Sequence, residues 1–336
     1  MSQLQPMPLF LNESAGADRG LICGYQLQPH GPAREVTADG IVQALAQPDQ
    51  VTWLHFNLSD ARARRWLLDA GFLPSALRDV LQEQDQNRRV EATDGGLLLV
   101  ISDFTYEDES DPAEVATLWC YAGRHLLITA RLHALKSSDE LRQRMRTGTA
   151  AASGIELAMQ LLDIRTARIK QLASDMTRRL DDIEDEILAG NIRQQREQLG
   201  RARRVCARLR REFAPERADL GRVLHRSAHP LAAADRSVLE SSVENLGFAI
   251  EEIAEIYERA KLLQEELASR LAENTGRNLY VLSLLTAVLL PMTLVTGVYG
   301  MNVVHLPGAG SFPLVMLLIL ASGGITLAVL FWRRLL

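Results

Sequence analysis

The groups best placed to do chemistry in this chain are neutral oxygens, not acids or imidazoles. They lie in Leu279–Asn302, LYVLSLLTAVLLPMTLVTGVYGMN, a stretch without charge until it ends. At 1.5 Å per residue, about twenty such residues cross the hydrocarbon core of a bilayer. Projected at 100° per residue, Ser283, Thr286, Thr293, Thr296, Gly297 and Gly300 fall within roughly 140° of one another, while Pro291 points away. A helix facing only lipid has no use for such a stripe; water, a pore or a neighbouring helix does. Small residues also pack helix against helix in membranes, so the stripe alone leaves packing and a pathway both open.

No other constellation competes with it. His30, His55, His125 and His133 have no His or Cys at ligand spacing. His225 and His229 are four apart, but two imidazoles without a third local ligand make an incomplete zinc site, and Ser227 and Pro230 read as a helix end. Cys23, Cys120 and Cys206 lie outside any CxxC spacing and read as reduced, structural thiols. There is no phosphate loop, nucleophile elbow or dinucleotide fingerprint, and nothing to suggest an enzyme. A net charge of −5 gives no basic signature for nucleic acid. The N-terminus, MSQLQPMPLF, lacks the basic and apolar regions of a signal peptide.

The elements that must position the stripe follow from the rest of the 336 residues. Residues 1–135 read as an α/β domain. Ile22–Leu27 and Val51–Leu58 are expected strands, Asp60–Ala70 a helix with Asp60 in its first turn, and Pro74 the start of another. Asp94-Gly95-Gly96 marks a hairpin between Arg89–Thr93 and Leu97–Phe104, and Gly123 a second between Val115–Tyr121 and His125–Ala130.

Residues 136–234 read as a helical hairpin region. Gly154–Ala189 is one helix, ended by Gly190-Asn191. Asn191 caps the next, which runs to about Phe213 and is restarted by Pro215. This second segment is basic, with eleven Arg against four acids over Arg193–Arg226. The following one, Asp235–Thr275, has ten acids against four bases. Opposite charge on adjacent helices is expected to neutralise along a packed seam or across subunits. In the acidic helix Leu239, Val243, Leu246, Ile250, Ile253, Tyr257, Ala260, Leu267 and Leu271 repeat in steps of four and three, interrupted by Gln264. No Pro or firm stop separates Asp235 from Pro291. The expectation is therefore one continuous helix that begins as a stalk and becomes the first span, residues 235–299, with the membrane part at about 279–299. In parallel copies Gln264, Asn274 and Asn278 would form polar rings below the membrane.

Residues 300–311 make a loop without acids, 312–332 a second uncharged span, and 333–336 a tail with Arg333-Arg334. Arg270 and Arg277 precede the first span. The positive-inside rule then puts both termini in the cytoplasm and the loop outside.

This architecture, two C-terminal spans with Gly300-Met301-Asn302 closing the first and a large domain before them, resembles the CorA superfamily of divalent-metal transporters. The short NVVHLPGAGS loop, WLHFNLSD, LPSALRDVL, RRVCARLRREFAPERADL and LPMTLVTGVYG resemble its zinc-transporting, ZntB-like branch over essentially the whole chain. Several members of that branch read GVN, whereas this chain reads GMN like the magnesium branch, so zinc stands against magnesium, cobalt or nickel.

The resemblance implies an α+β cytoplasmic domain, long stalk helices and a two-span α-helical membrane domain, assembled as a CorA-like homopentamer in the inner (plasma) membrane. It implies divalent-cation transport, zinc uptake with or without proton coupling, and a selectivity motif at Gly300, Met301 and Asn302. Thr286, Leu290, Thr293 and Gly297 would line the path, with Asn274 and Asn278 as an inner ring. No cofactor is implied; the partners are the other copies of the chain in the homopentamer, membrane lipid, the divalent cation and, with coupling, protons. The first span holds no Asp, Glu, His or Cys, so its neutral acceptors suit a cation that keeps much of its water. His305 is the nearest titratable group. The rival from another class is a non-conducting membrane-anchored sensor or scaffold, which needs neither the stripe nor Asn302.

Overall fold

The computed structural model describes residues 20–28, 31–47, 49–106, 111–189, 195–226, 231–301 and 311–332. The chain forms two compact units, Met1–Leu262 and Leu263–Leu336.

The first unit is built on a seven-stranded sheet of order β2-β1-β3-β7-β6-β5-β4. Its strands are β1 (Leu21–Gln26), β2 (Arg34–Glu35), β3 (Thr52–Asn57), β4 (Arg89–Thr93), β5 (Gly96–Phe104), β6 (Val115–Gly123) and β7 (Leu126–Arg131). The central strands are apolar because both faces are covered; β5, GLLLVISDF, is buried at all nine positions. One face, with Leu54, Phe56, Val100 and Ile128, packs under α1 (Ile41–Leu45), α2 (Ala61–Asp69) and α3 (Ser75–Glu83). On the other side lie α4 (Lys136–Thr147) and α5 (Gly154–Leu188).

Both expected hairpins form. In the first, Thr93 pairs with Gly96 across Asp94-Gly95, and Gly95 takes the positive φ of 95° that a two-residue turn demands. Asp60 is the N-cap of α2 and accepts from the Arg62 amide at 2.8 Å. Ser153 caps α5 by accepting from Glu156 N at 2.9 Å, while Glu156 reaches back to Ala152 N. The short β2 and α1 have no clear pattern in the sequence. Neither does the parallel pairing of β3 with β7, which joins strands distant in the chain.

Under the sheet, β5, α5 and α6 (Gln195–Arg226) meet at a buried charged cluster. Arg165 forms a bidentate pair with Glu216, donates to Ser102 O at 2.7 Å and stacks over Phe213 with its guanidinium carbon 5.2 Å from the ring centroid. Glu212, one turn before Glu216, pairs with Arg88. Asp103 accepts from Ser137 Oγ, Ser137 N and Phe104 N. Burial pushes the Glu216 and Asp103 carboxyls up; Arg165 opposes it at both, as do the Ser137 bonds at Asp103.

That cluster corrects one expectation. The second helix of the region does not stop near Phe213 and restart at Pro215: α6 runs through the proline. Proline removes one backbone bond, but Glu212, Phe213 and Glu216 are all held against the sheet around it, and tertiary packing overrides the local break. The expected stop at Gly190-Asn191 and the cap by Asn191 lie outside the described residues, as does His229; α5 ends at Leu188. His225 is exposed near the end of α6.

The α7 helix (Ala233–Gly300) is continuous over 68 residues, as the absence of a stop predicted. Its seam is buried or half-buried from Leu239 to Leu267, but Leu271 is exposed; Leu263 is buried where the repeat placed Gln264. Pairing between α6 and α7 is present within the chain. Arg217 pairs with Glu251 at 3.2 Å and lies over Gly247, and Arg203 reaches Tyr257 Oη. Arg259 of α7 turns instead to Asp181 and Glu184 of α5. The second unit contains the rest of α7 and α8 (Phe312–Trp332), two helices long and apolar enough to cross a membrane.

Candidate functional site

Two apolar helices that share a face expose everything else, and the division on α7 is the informative feature of the second unit. Leu284, Ala287, Val288, Pro291, Met292, Val295 and Tyr299 are half-buried, whereas the other residues from Leu279 to Gly300 are exposed. The matching face of α8 is Val315, Ile319, Ser322, Gly323, Thr326 and Leu330, again in steps of four and three. At 100° per residue the half-buried arc and the polar stripe each span about 140°, and their centres lie roughly 180° apart. The stripe is therefore not what holds α7 to α8 within the chain.

The three threonine hydroxyls of the stripe are already committed as donors. Thr286 Oγ1 donates to Leu282 O at 2.9 Å, Thr293 Oγ1 to Leu290 O at 2.8 Å and Thr296 Oγ1 to Thr293 O at 2.9 Å. Each has one proton and two lone pairs, so what remains to face outward is acceptor capacity. An acceptor-only surface favours cations and the hydrogens of their bound water. Helix polarity adds to this: the last carbonyls of α7, at Gly297–Gly300, form the negative end of its dipole. Met301 N turns back to Val298 O at 3.4 Å.

Of the residues singled out in the sequence, Thr286, Leu290, Thr293 and Gly297 lie together on the uncovered side of α7, within about 60° of one another. Leu290, midway along the helix and at one edge of that arc, is 66% exposed. Gly300 ends the helix and Met301 is exposed; Asn302 and His305 lie outside the described residues. Asn274 and Asn278 are exposed on α7 one turn apart. The sequence did not single out Met292, which meets Gly323, the buried residue of α8. The small run Ser322-Gly323-Gly324 was the available signal; its partner was not legible.

The first unit offers a different kind of opening, a groove of about 690 Å3 between α4 and α5. It mixes Lys136, Arg144 and Arg168 with Glu140, which already pairs with Arg144 at 2.6 Å. Among the described residues no three His, Cys, Asp or Glu side chains are grouped to hold a metal ion. His55 is buried in the sheet, where Arg131 Nε donates to its Nε2 at 3.1 Å and Thr129 Oγ1 lies 2.7 Å from Nδ1. Burial and the charges of Arg131 and Arg142 hold its pKa well below the ordinary value, so it is a neutral structural acceptor. All three cysteines are buried; burial pushes the Cys23 thiol up to about 12 and Cys206 to about 11, and raises Cys120 further.

Comparison with known proteins agrees with this architecture. Residues 48–334 match the protein family described as CorA-like Mg2+ transporter protein. The zinc transport protein ZntB of Yersinia enterocolitica is 25% identical over 287 residues, covering 85% of this chain and 86% of that protein. The divalent cation transporter CmaX of Pseudomonas aeruginosa is 29% identical over 297 residues, covering 88% and 90%. The full-length CmaX structure superposes with a TM-score of 0.79 at 29% identity, over 96% of this chain and 99% of that one. The complete CorA magnesium transporter of Methanocaldococcus jannaschii gives 0.72 at 20% identity over 91% and 96%, a likeness of fold. The sheet domain, the long helix and the two apolar C-terminal helices are thus those of the CorA-like family, and the chain belongs to it.

Proposed function

We propose that this chain forms a homopentameric pore for divalent cations in the inner (plasma) membrane, with α7 inside, α8 outside and zinc as the cation taken up. The observation that carries the reading is the division of α7: its acceptor stripe lies opposite the face that α8 covers. In a ring of copies that stripe would face the axis, and the hydroxyl oxygens of Thr286 and Thr293 would meet the bound water of a hydrated ion. Leu290 is the constriction, and Gly297 widens the path near its outer end. Gly300, Met301 and Asn302 form the selectivity element at the mouth, where the helix dipole already favours positive charge. Asn274 and Asn278 form the inner polar ring. Residues 1–135, 136–234 and the stalk up to about residue 278 lie on the cytoplasmic side with both termini, and residues 300–311 lie outside.

Zinc is favoured over magnesium, cobalt or nickel by the ZntB relatives and the short loop. The family description and the GMN motif favour magnesium, and that is the second reading. The test is reconstitution in liposomes holding a zinc-sensitive dye, at two pH gradients, with Mg2+ run in parallel. Zinc entry that rises with an inward proton gradient supports coupled zinc uptake; Mg2+ entry indifferent to protons supports the magnesium reading. Asn302→Ala should abolish selective entry while the oligomer persists. If neither ion enters through the native protein, the non-conducting scaffold is the better account; if ions enter and Asn302→Ala leaves entry unchanged, Asn302 is not the selectivity element.

A further inference from the structure

We propose that Met292, seated on Gly323, is the positioning residue that fixes the rotation of α7 about its own axis and so decides which side chains face away from α8. The proposal rests on the pore reading above, because rotation matters only if the uncovered stripe is the path.

Gly323 is the buried residue of α8, and a Cβ built there would meet Met292 Cε at 2.5 Å, Sδ at 3.2 Å and Cγ at 3.5 Å. A Cβ on the adjacent Gly324 would meet nothing within 4 Å. One of the two glycines is therefore a notch and the other is not. The polar neighbours of the notch do not grip α7 through their own protons: Ser322 Oγ donates to Ile319 O and Thr326 Oγ1 to Ser322 O. Lipid is as apolar as the faces by which α7 and α8 meet, so no hydrophobic force fixes how those two faces seat on each other, and shape must do it. Met292 fills the notch with an adaptable, unbranched thioether, so the contact selects by volume, and a side chain larger than a single Cβ is needed at Gly323 to displace it.

The clamp sits where α7 is weakest. Pro291, beside Met292, has no amide proton, so the Ala287 carbonyl lacks its usual partner four residues on. A helix can twist or bend there at lower cost than elsewhere. The stripe tolerates little of this: a rotation of about 50°, half a residue step, would carry one of its edges, Ser283 or Thr296, out of the arc.

The experiment uses the full-length protein in proteoliposomes, with Thr293→Cys as the reporter and a membrane-impermeant charged thiol reagent as the probe. The native cysteines are buried thiols with raised pKa values, so the background should be low. Gly323→Leu should cut the labelling rate of the reporter and, measured separately in the chain that keeps Thr293, the cation flux about tenfold, the order expected when a side chain is forced into a packed contact. Size-exclusion profile and expression should stay as in the parent. Combining Gly323→Leu with Met292→Ala empties the space the new side chain needs and should restore both readouts to within about twofold, by the same volume argument. Labelling indifferent to Gly323→Leu, or a double variant no better than the single one, overturns the proposal. A reporter that is unlabelled in the otherwise native chain overturns the pore reading, and the proposal with it.

Discussion

Removing the Glu216 carboxylate tests whether the Arg165 cluster holds α6 to the sheet. The Arg165 side chain is 0% exposed and that of Glu216 1% exposed. Glu216→Ala leaves a full positive charge buried with one carbonyl, Ser102 O, one ring face, Phe213, and the attraction of Asp103. Breaking a buried pair from one side typically costs about 3–5 kcal/mol. The carbonyl and the ring retain part of the solvation, which places this case near the lower end, ~3 kcal/mol. For a unit of this size that corresponds to a fall in midpoint of roughly 6–12 °C.

The assay is thermal unfolding of the full-length protein in detergent, followed by tryptophan fluorescence, since Trp53 and Trp119 are buried in the sheet. Replacing both partners, Arg165→Met with Glu216→Leu, should recover at least half of the loss, because an apolar pair of similar volume has no charge to desolvate. Recovery is incomplete because the buried Asp103 carboxyl loses the attraction of the Arg165 cation. The reasoning is refuted if Glu216→Ala moves the midpoint by less than about 2 °C, or if the double variant melts as low as the single one.

Other perturbations give further checks. His55 is held neutral, with its folded pKa below the ordinary 6.5. Its contribution to stability is therefore fully present above that value and lost as pH falls through and below it. His55→Gln should show a flatter midpoint-against-pH curve between about pH 6.5 and 5, with the carboxylate-driven fall below that range retained. At Gly154 a Cβ would press on the carbonyl oxygens of Leu126 and Gly123, so Gly154→Ala should destabilise by about 1–3 kcal/mol. Gly221→Ala, with open space around it, should be neutral or raise the midpoint slightly, and equal melting of the two variants would contradict the close-approach argument. None of the three thiols should react with a disulfide reagent at pH 8 until the first unit unfolds, given the burial of all three; stoichiometric labelling of the native protein would contradict it.

Much of this molecule was legible before its coordinates. The uncharged runs, the absence of a stop before Pro291 and the four-and-three repeat of α7 are periodic signals within one element, and they fixed its type and extent. Asp94-Gly95 and Gly123 announced their hairpins because turn geometry selects residue type locally. The resemblance to the CorA superfamily came the same way, from a contiguous motif, Gly300-Met301-Asn302, and the order of elements around it. Pro215 misled for the complementary reason: a local rule was outweighed by Phe213 and Glu216 packing against strands far away in the chain.

By itself, then, the sequence determined the two spans, the continuous helix leading into the first of them and the polar stripe along it. Each of these depends on hydrophobicity and helical period alone. Only the tertiary structure decided which face of α7 is covered, that Met292 rather than a threonine meets α8, and that Arg165 and Glu216 share one buried site. Those facts depend on which surfaces meet across gaps of 31 and 51 residues. Over such separations no periodicity within one helix records the partner; only complementary volume and charge in three dimensions select it.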